Sequence, residues 1–166
     1  SVFHYTRSQS GFEDVNVFYH ITEIREYIDG FGFDILDYQL AADAQALGSV
    51  DNSMFSFSTN PPRLLFGVGG VDDAEDADVI VHEFGHALVH ACAPFSNNGG
   101  ERNALDEAVG DYLAASYSRL FSEFNWQDVY SWDGHNEFWT GRRVQSSDVY
   151  PNDLASNFYD NADIWS

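Results

Sequence analysis

Lysine is absent from this 166-residue chain, and its 7 basic residues, all Arg, face 27 acidic ones, for a formal net charge of −20. So negative a surface repels phosphate backbones and anionic lipid headgroups, which disfavours nucleic acids and membranes as partners and favours cations. The lone cysteine, Cys92, admits neither an internal disulfide nor a thiolate cage, so a bound metal has to be held by His and carboxylates. Apolar stretches are broken by charge within about ten residues, short of the roughly 20 that a membrane helix needs. No basic region followed by an apolar run opens the sequence, so no signal peptide is expected in it; a mature secreted segment would read the same way.

What the chain does have is apolar surface to bury: 44% of residues are hydrophobic and 16% aromatic, too many for a disordered acidic tail. One domain spanning 1–166 is expected, with no repeats and no linker. Residues 14–30 place Val17, Ile21, Ile24 and Ile28 at helical spacing and stop at Gly30. Residues 52–59 and 63–68 read as two strands around Asn60-Pro61-Pro62, which cannot continue a ladder. A second helix, apolar nearly all round, runs from about Asp78 to Ala93 and ends at Pro94; that pattern predicts a helix through the middle of the domain. After the Asn97-Asn98-Gly99-Gly100 loop a third helix is predicted from Glu101 to about Phe121, and beyond Asn125 only loops and short strand-like pieces.

The central helix carries His82-Glu83-Phe84-Gly85-His86. Four residues apart on a helix, two imidazoles share one face and can hold one Zn²⁺, while Glu83, further round, can take a proton from water that the metal activates. A catalytic zinc wants a third protein ligand and an open position. Glu107 and Asp111, again four apart, supply candidates on the third helix: Glu107 as ligand, Asp111 as acceptor for the second nitrogen of a ligand His. Read blandly, the same residues are two chance histidines and two solvated acids of an acidic chain.

The run Asp78-Val79-Ile80-Val81-His82-Glu83-Phe84-Gly85-His86-Ala87-Leu88, with Glu107 lying 21 positions after His86 and Asp111 four later, resembles the gluzincin metallopeptidases, and within them the thermolysin- and fungalysin-like enzymes. The resemblance implies an α+β fold, a thermolysin-like zincin N-terminal lobe with a small mixed sheet and the active-site helix packed on a second long helix. It implies a zinc endopeptidase acting on peptide or protein, secreted and bacterial, with His82, His86 and Glu107 as ligands, Glu83 as general base and Asp111 behind His82. It also implies an edge strand that pairs with the substrate backbone, here Asn52-Ser53-Met54-Phe55, in which Asn52 and Ser53 are candidate substrate contacts; Asn52 reads equally as a turn residue.

The chain departs from the family in its oxyanion donors. No Tyr lies between Pro94 and Gly100, where Asn97 and Asn98 are the available polar residues, and Phe158-Tyr159-Asp160 stands where a His is expected, ahead of Ala162-Asp163-Ile164-Trp165-Ser166. Tyr159 and His135 are the candidate replacements. The chain stops where the family continues into a helical lobe, so a zinc-binding but inactive or fragmentary peptidase domain is one alternative expectation. A calcium-stabilised acidic extracellular binding module is another, because Asp72, Asp73, Glu75, Asp76 and Asp78 can hold Ca²⁺ through several carboxylates. The same acids are explained by the dipole at a helix N-terminus.

Overall fold

Three helices, a three-stranded sheet and a long C-terminal meander surround one buried helix in the computed structural model, which describes residues 2–96 and 98–165. Helix α1, Gly11–Asp29, buries Val17 and Ile24 and packs Ile21 and Ile28 against the same core, as the spacing predicts. Strands β1 (Ala41–Asp43), β2 (Met54–Ser56) and β3 (Arg63–Leu65) form a sheet in the order β1-β3-β2. The pair β2 and β3 is the expected hairpin, antiparallel with Phe55 opposite Leu64, though shorter than predicted. Strand β1 runs parallel to β3 and was not expected, since Ala41-Ala42-Asp43 carries neither β-branched residues nor aromatics. Because β2 is an outer strand, one of its edges has no sheet partner among the described residues.

Helix α2, Ala77–Cys92, has every residue from Asp78 to Gly85 buried, including the acids and His82. Its start is fixed by Asp76, whose carboxylate caps the Asp78 N–H at 2.7 Å. Helix α3, Gly100–Arg119, lies against α2, and the two approach so closely that a Cβ on Gly85 would sit 2.8 Å from the Gly110 Cα. A Cβ on Gly110 would stand 2.4 Å from His82 Nδ1. These two glycines set the distance between the helices that carry the motif. Gly110→Ala is therefore expected to destabilise the chain by about 1–3 kcal/mol and to push the His82 ring out of place. Thermal unfolding and metal titration of the variant check this; an unchanged melt with unchanged metal affinity contradicts it.

Beyond α3 the chain forms a two-residue ladder, β4 (Asp128–Val129) with β5 (Arg142–Arg143), and a short helix α4, Phe158–Ala162, packed on α3. The sequence predicts only irregular pieces here, and α4 is the addition; Asn157 caps it by accepting from the Tyr159 N–H. The loop after β4 is tied to the start of α2. Asp78 Oδ2 accepts from Tyr130 N at 3.0 Å, and Asp76 Oδ2 accepts from Trp132 N at 3.0 Å and Asp133 N at 2.8 Å. Ser118 also donates to Asp78. Two acids read from sequence as part of a cation site are thus taken up by backbone amides, which burial makes worth more than they would be in water. No helix among the described residues is long and apolar enough to cross a membrane.

Candidate metal centre

Helix α2 presents His82 and His86 one turn apart with ring centroids 4.7 Å from each other, and α3 brings Glu107 to them. His82 Nε2 is 3.4 Å from Glu107 Oε2, and His86 Nε2 is 3.6 Å from Glu107 Oε1. The three residues offer ligand atoms all within 4.8 Å of one another. Donors at about 2.0–2.1 Å from a tetrahedral Zn²⁺ are separated by roughly 3.3–3.4 Å, a spacing that the two His–Glu107 distances approach. The outer nitrogens face carboxylates: His82 Nδ1 lies 2.9 Å from Asp111 Oδ1 in an ion-pair contact, the place the resemblance gives Asp111, and His86 Nδ1 hydrogen-bonds Asp106 Oδ1 at 3.0 Å. Each carboxylate sits behind its ring, on the side away from Nε2, and the Arg142 guanidinium stands 3.5 Å from His82 Nε2.

Three residues of this site escape a reading of the sequence. Asp106 is overshadowed by Glu107 beside it. Arg142 and Tyr130 come from the irregular C-terminal region. Within β5, Arg143 pairs across the ladder with Asp128 at 3.0 Å, so Arg142, next along the strand, points to the other face and into the site. There its guanidinium reaches Glu107 Oε2 at 2.8 Å and Asp111 Oδ1 at 3.1 Å. Tyr130 donates to Asp111 Oδ1 at 2.7 Å and accepts from Arg142, whose guanidinium carbon lies 5.0 Å from the ring centroid. The usable signal was Gly141-Arg142-Arg143, two of only 7 basic residues placed side by side.

Electrostatics divides the carboxylates. Glu107, despite burial that works the other way, is held down to about 2 by His82, His86 and Arg142. Glu83 is pushed up by burial, against the pull of His86 and His82, and its Oε2 has no hydrogen-bond partner among the described residues. Burial would lower His82, but Asp111 and Glu107 outweigh it and raise it to about 9. Burial likewise holds Asp73 up to about 7 and Asp133 up to about 6.

Those shifts set the acid–base stability of the chain stripped of metal. The raised groups contribute stability that is complete below their unfolded pKa and is lost as pH climbs: from about 3.8 towards 7 for Asp73, and from 6.5 to about 9 for His82. Glu107 acts oppositely, with stability present above 4.5 and lost as pH falls towards 2. Thermal melts in chelator should peak near pH 5 and decline steadily to pH 9. A higher melt at pH 9 than at pH 5 contradicts this balance.

These groups line an open cleft of about 1190 Å³. Asn52, Ser53 and Tyr159 line it too. Asn52 is exposed and folds its Oδ1 back onto the Ser53 N–H at 2.9 Å. The Ser53 hydroxyl is committed to Asp73 Oδ2 at 2.5 Å, so it has no free proton for a substrate. Tyr159 is half-exposed on α4, and burial, helped by the negative charge of Glu107 and Glu83, holds its phenol protonated. His135 borders the cleft but turns Nε2 to the Val129 carbonyl at 3.1 Å, so in the neutral ring its one N–H is used there and Nδ1 is left as an acceptor. Asn97 lies outside the described residues, and Asn98 is exposed. His90, one turn beyond His86, stacks on Phe57 with centroids 4.7 Å apart, and His20 bonds the Tyr117 hydroxyl at 2.9 Å. Compared with protein-family models, with curated proteins and with solved structures, the chain gives no significant match to any.

Proposed function

We propose that this chain is a zinc-dependent endopeptidase domain of the gluzincin type, built like the N-terminal lobe of thermolysin- and fungalysin-like enzymes. The observation that carries the reading is the convergence of His82, His86 and Glu107 within 4.8 Å beside the buried, unpartnered carboxylate oxygen of Glu83. Three protein ligands leave one position of a tetrahedral ion open, the arrangement of a catalytic rather than a structural site. Bound there, Zn²⁺ supplies a Lewis acid that polarises a carbonyl and acidifies water.

The remaining work falls to the protein. Glu83 takes the proton from water and passes it to the leaving amine, a role suited by a pKa that burial has raised. The free edge of β2 offers its backbone to an extended peptide lying in the cleft. Tyr159 presents a phenolic O–H to the oxyanion, and Asn52 its amide to the substrate main chain. Arg142 bridges Glu107 and Asp111 and offsets part of the negative charge that the two carboxylates bring into the site. Partners of this kind, peptides rather than nucleic acids or membranes, suit the charge of −20, and a secreted bacterial setting belongs to the same reading.

An internally quenched peptide blocked at both ends tests the assignment. Hydrolysis that stops in chelator and returns with one equivalent of zinc, but not with calcium, is expected. No cleavage by the zinc-loaded chain favours an inactive zinc-binding domain, and cleavage indifferent to chelator removes the metal from the mechanism.

A further inference from the structure

A second group of carboxylates shares the cleft and has no part in the peptidase reading. Asp51 precedes β2, Asp73 opens the single 3-10 turn Asp73–Glu75 ahead of α2, and Asp133 stands in the loop between β4 and β5. Each offers an oxygen within 4.8 Å of the others. Asp73 is 2% exposed and Asp133 5% exposed, yet Oδ1 of each has no hydrogen-bond partner among the described residues. Their second oxygens are satisfied, Asp73 Oδ2 by the Ser53 hydroxyl at 2.5 Å and Asp133 Oδ2 by Trp139 Nε1 at 2.9 Å. No ion pair to any of the three is found among the described residues. Buried charge left in this state is costly, and a cation is the direct remedy.

The other acidic groups around the start of α2 do not share this condition. In the set Glu13, Asp72 and Glu75, Arg7 sits on Glu75 at 2.5 Å and Gln45 donates to Glu13 at 2.9 Å. Asp76 and Asp78 hold backbone amides. The fold therefore divides the acidic run of the sequence, giving Glu75 an arginine and Asp76 and Asp78 backbone amides, while Asp73 meets the carboxylates of Asp51 and Asp133.

We propose that Asp51, Asp73 and Asp133 form a Ca²⁺ site. The donors are all hard oxygens, without the imidazole that would favour zinc. Two oxygens that bind one Ca²⁺ at about 2.3–2.6 Å stand at most roughly 5.2 Å apart, and oxygens of the three carboxylates fall within that limit. Asp51 is exposed, which leaves room for the waters that complete seven- or eightfold coordination. The ion would join the segment that leads into β2, the turn ahead of the His82 helix, and the loop that continues to Arg142. Three walls of one cleft would thus be fixed to a single point. The site does not depend on the peptidase reading.

Terbium luminescence tests it, because the Trp139 indole bonded to Asp133 sits where it can sensitise a lanthanide in this site. The full chain is titrated with Tb³⁺ under indole excitation, once with one equivalent of Zn²⁺ present and once without. Emission saturating near one equivalent in both, and displaced by Ca²⁺, is expected. Asp51→Asn, an exposed change that leaves the core intact, should weaken Tb³⁺ and Ca²⁺ by about tenfold or more through loss of one ligand charge, while Glu13→Gln leaves both unchanged. The proposal is overturned by absent emission, by emission that Ca²⁺ does not displace, or by affinity indifferent to Asp51→Asn. It is equally overturned if binding is lost in Glu107→Ala instead, because the lanthanide is then on the histidine site.

Discussion

Glu83→Gln is expected to keep one zinc per chain and to lower kcat/KM for peptide hydrolysis by about 10²–10⁴-fold, the usual worth of a general base. Glu83 is not among the residues whose ligand atoms converge, so its replacement leaves the metal donors whole. Glutamine has nearly the same shape and can still accept a hydrogen bond, but its amide cannot take a proton at neutral pH. The buried location adds a second signature. Burial raises the Glu83 pKa, so its charge costs more in the fold than in the unfolded chain, and a neutral amide should melt at the same temperature as the parent or slightly above it. A variant that loses activity because it unfolds would melt lower, which separates the two causes. Zinc bound with the parent's rate of cleavage would remove Glu83 from the mechanism.

Asp111→Ala is expected to be the most destabilising single change in the site, by about 3–5 kcal/mol, because it leaves a cation behind without one of its counter-charges. Asp111 is 1% exposed and meets three groups at once: His82 Nδ1 at 2.9 Å, the Tyr130 hydroxyl at 2.7 Å and Arg142 at 3.1 Å. In a chain of this size each kcal/mol shifts the melting midpoint by roughly 2–4 °C, so a fall of about 6–20 °C should be visible by calorimetry. Zinc affinity should drop by about 10–100-fold as the His82 ring loses its anchor. Asp111→Asn keeps an acceptor for the ring without the charge that balances Arg142, and it should fall between parent and Ala on both measures. A melt unchanged in Asp111→Ala would mean that the Arg142 and Tyr130 contacts carry little energy.

Why the site could be read from sequence in part only follows from where its residues sit. His82, Glu83 and His86 share one helix, Glu107 and Asp111 another, and the period of 3.6 residues states which of them face together. That Gly85 and Gly110 bring the two helices close enough for the faces to meet is invisible in either period alone. Arg142 and Tyr130 lie in a stretch whose Trp, Gly and Asp content gives no periodicity. Their position depends on Asp76 and Asp78 catching the amides of residues 130–133, contacts spanning more than 50 positions. The acidic run was ambiguous for the same reason: composition shows charge but not whether a backbone N–H will meet it. In the sheet, the Pro61-Pro62 break and its flanking apolar residues marked the hairpin, whereas β1, pairing only through its backbone with β3, left no side-chain signal.

Zinc K-edge absorption on the chain loaded with one equivalent of metal bears most directly on the central claim. The spectrum should fit two imidazole nitrogens and carboxylate or water oxygens at about 2.0–2.1 Å, and should lose an imidazole in His82→Ala and the carboxylate in Glu107→Ala. Zinc that stays bound with an unaltered spectrum in both variants would place the metal elsewhere and contradict the account.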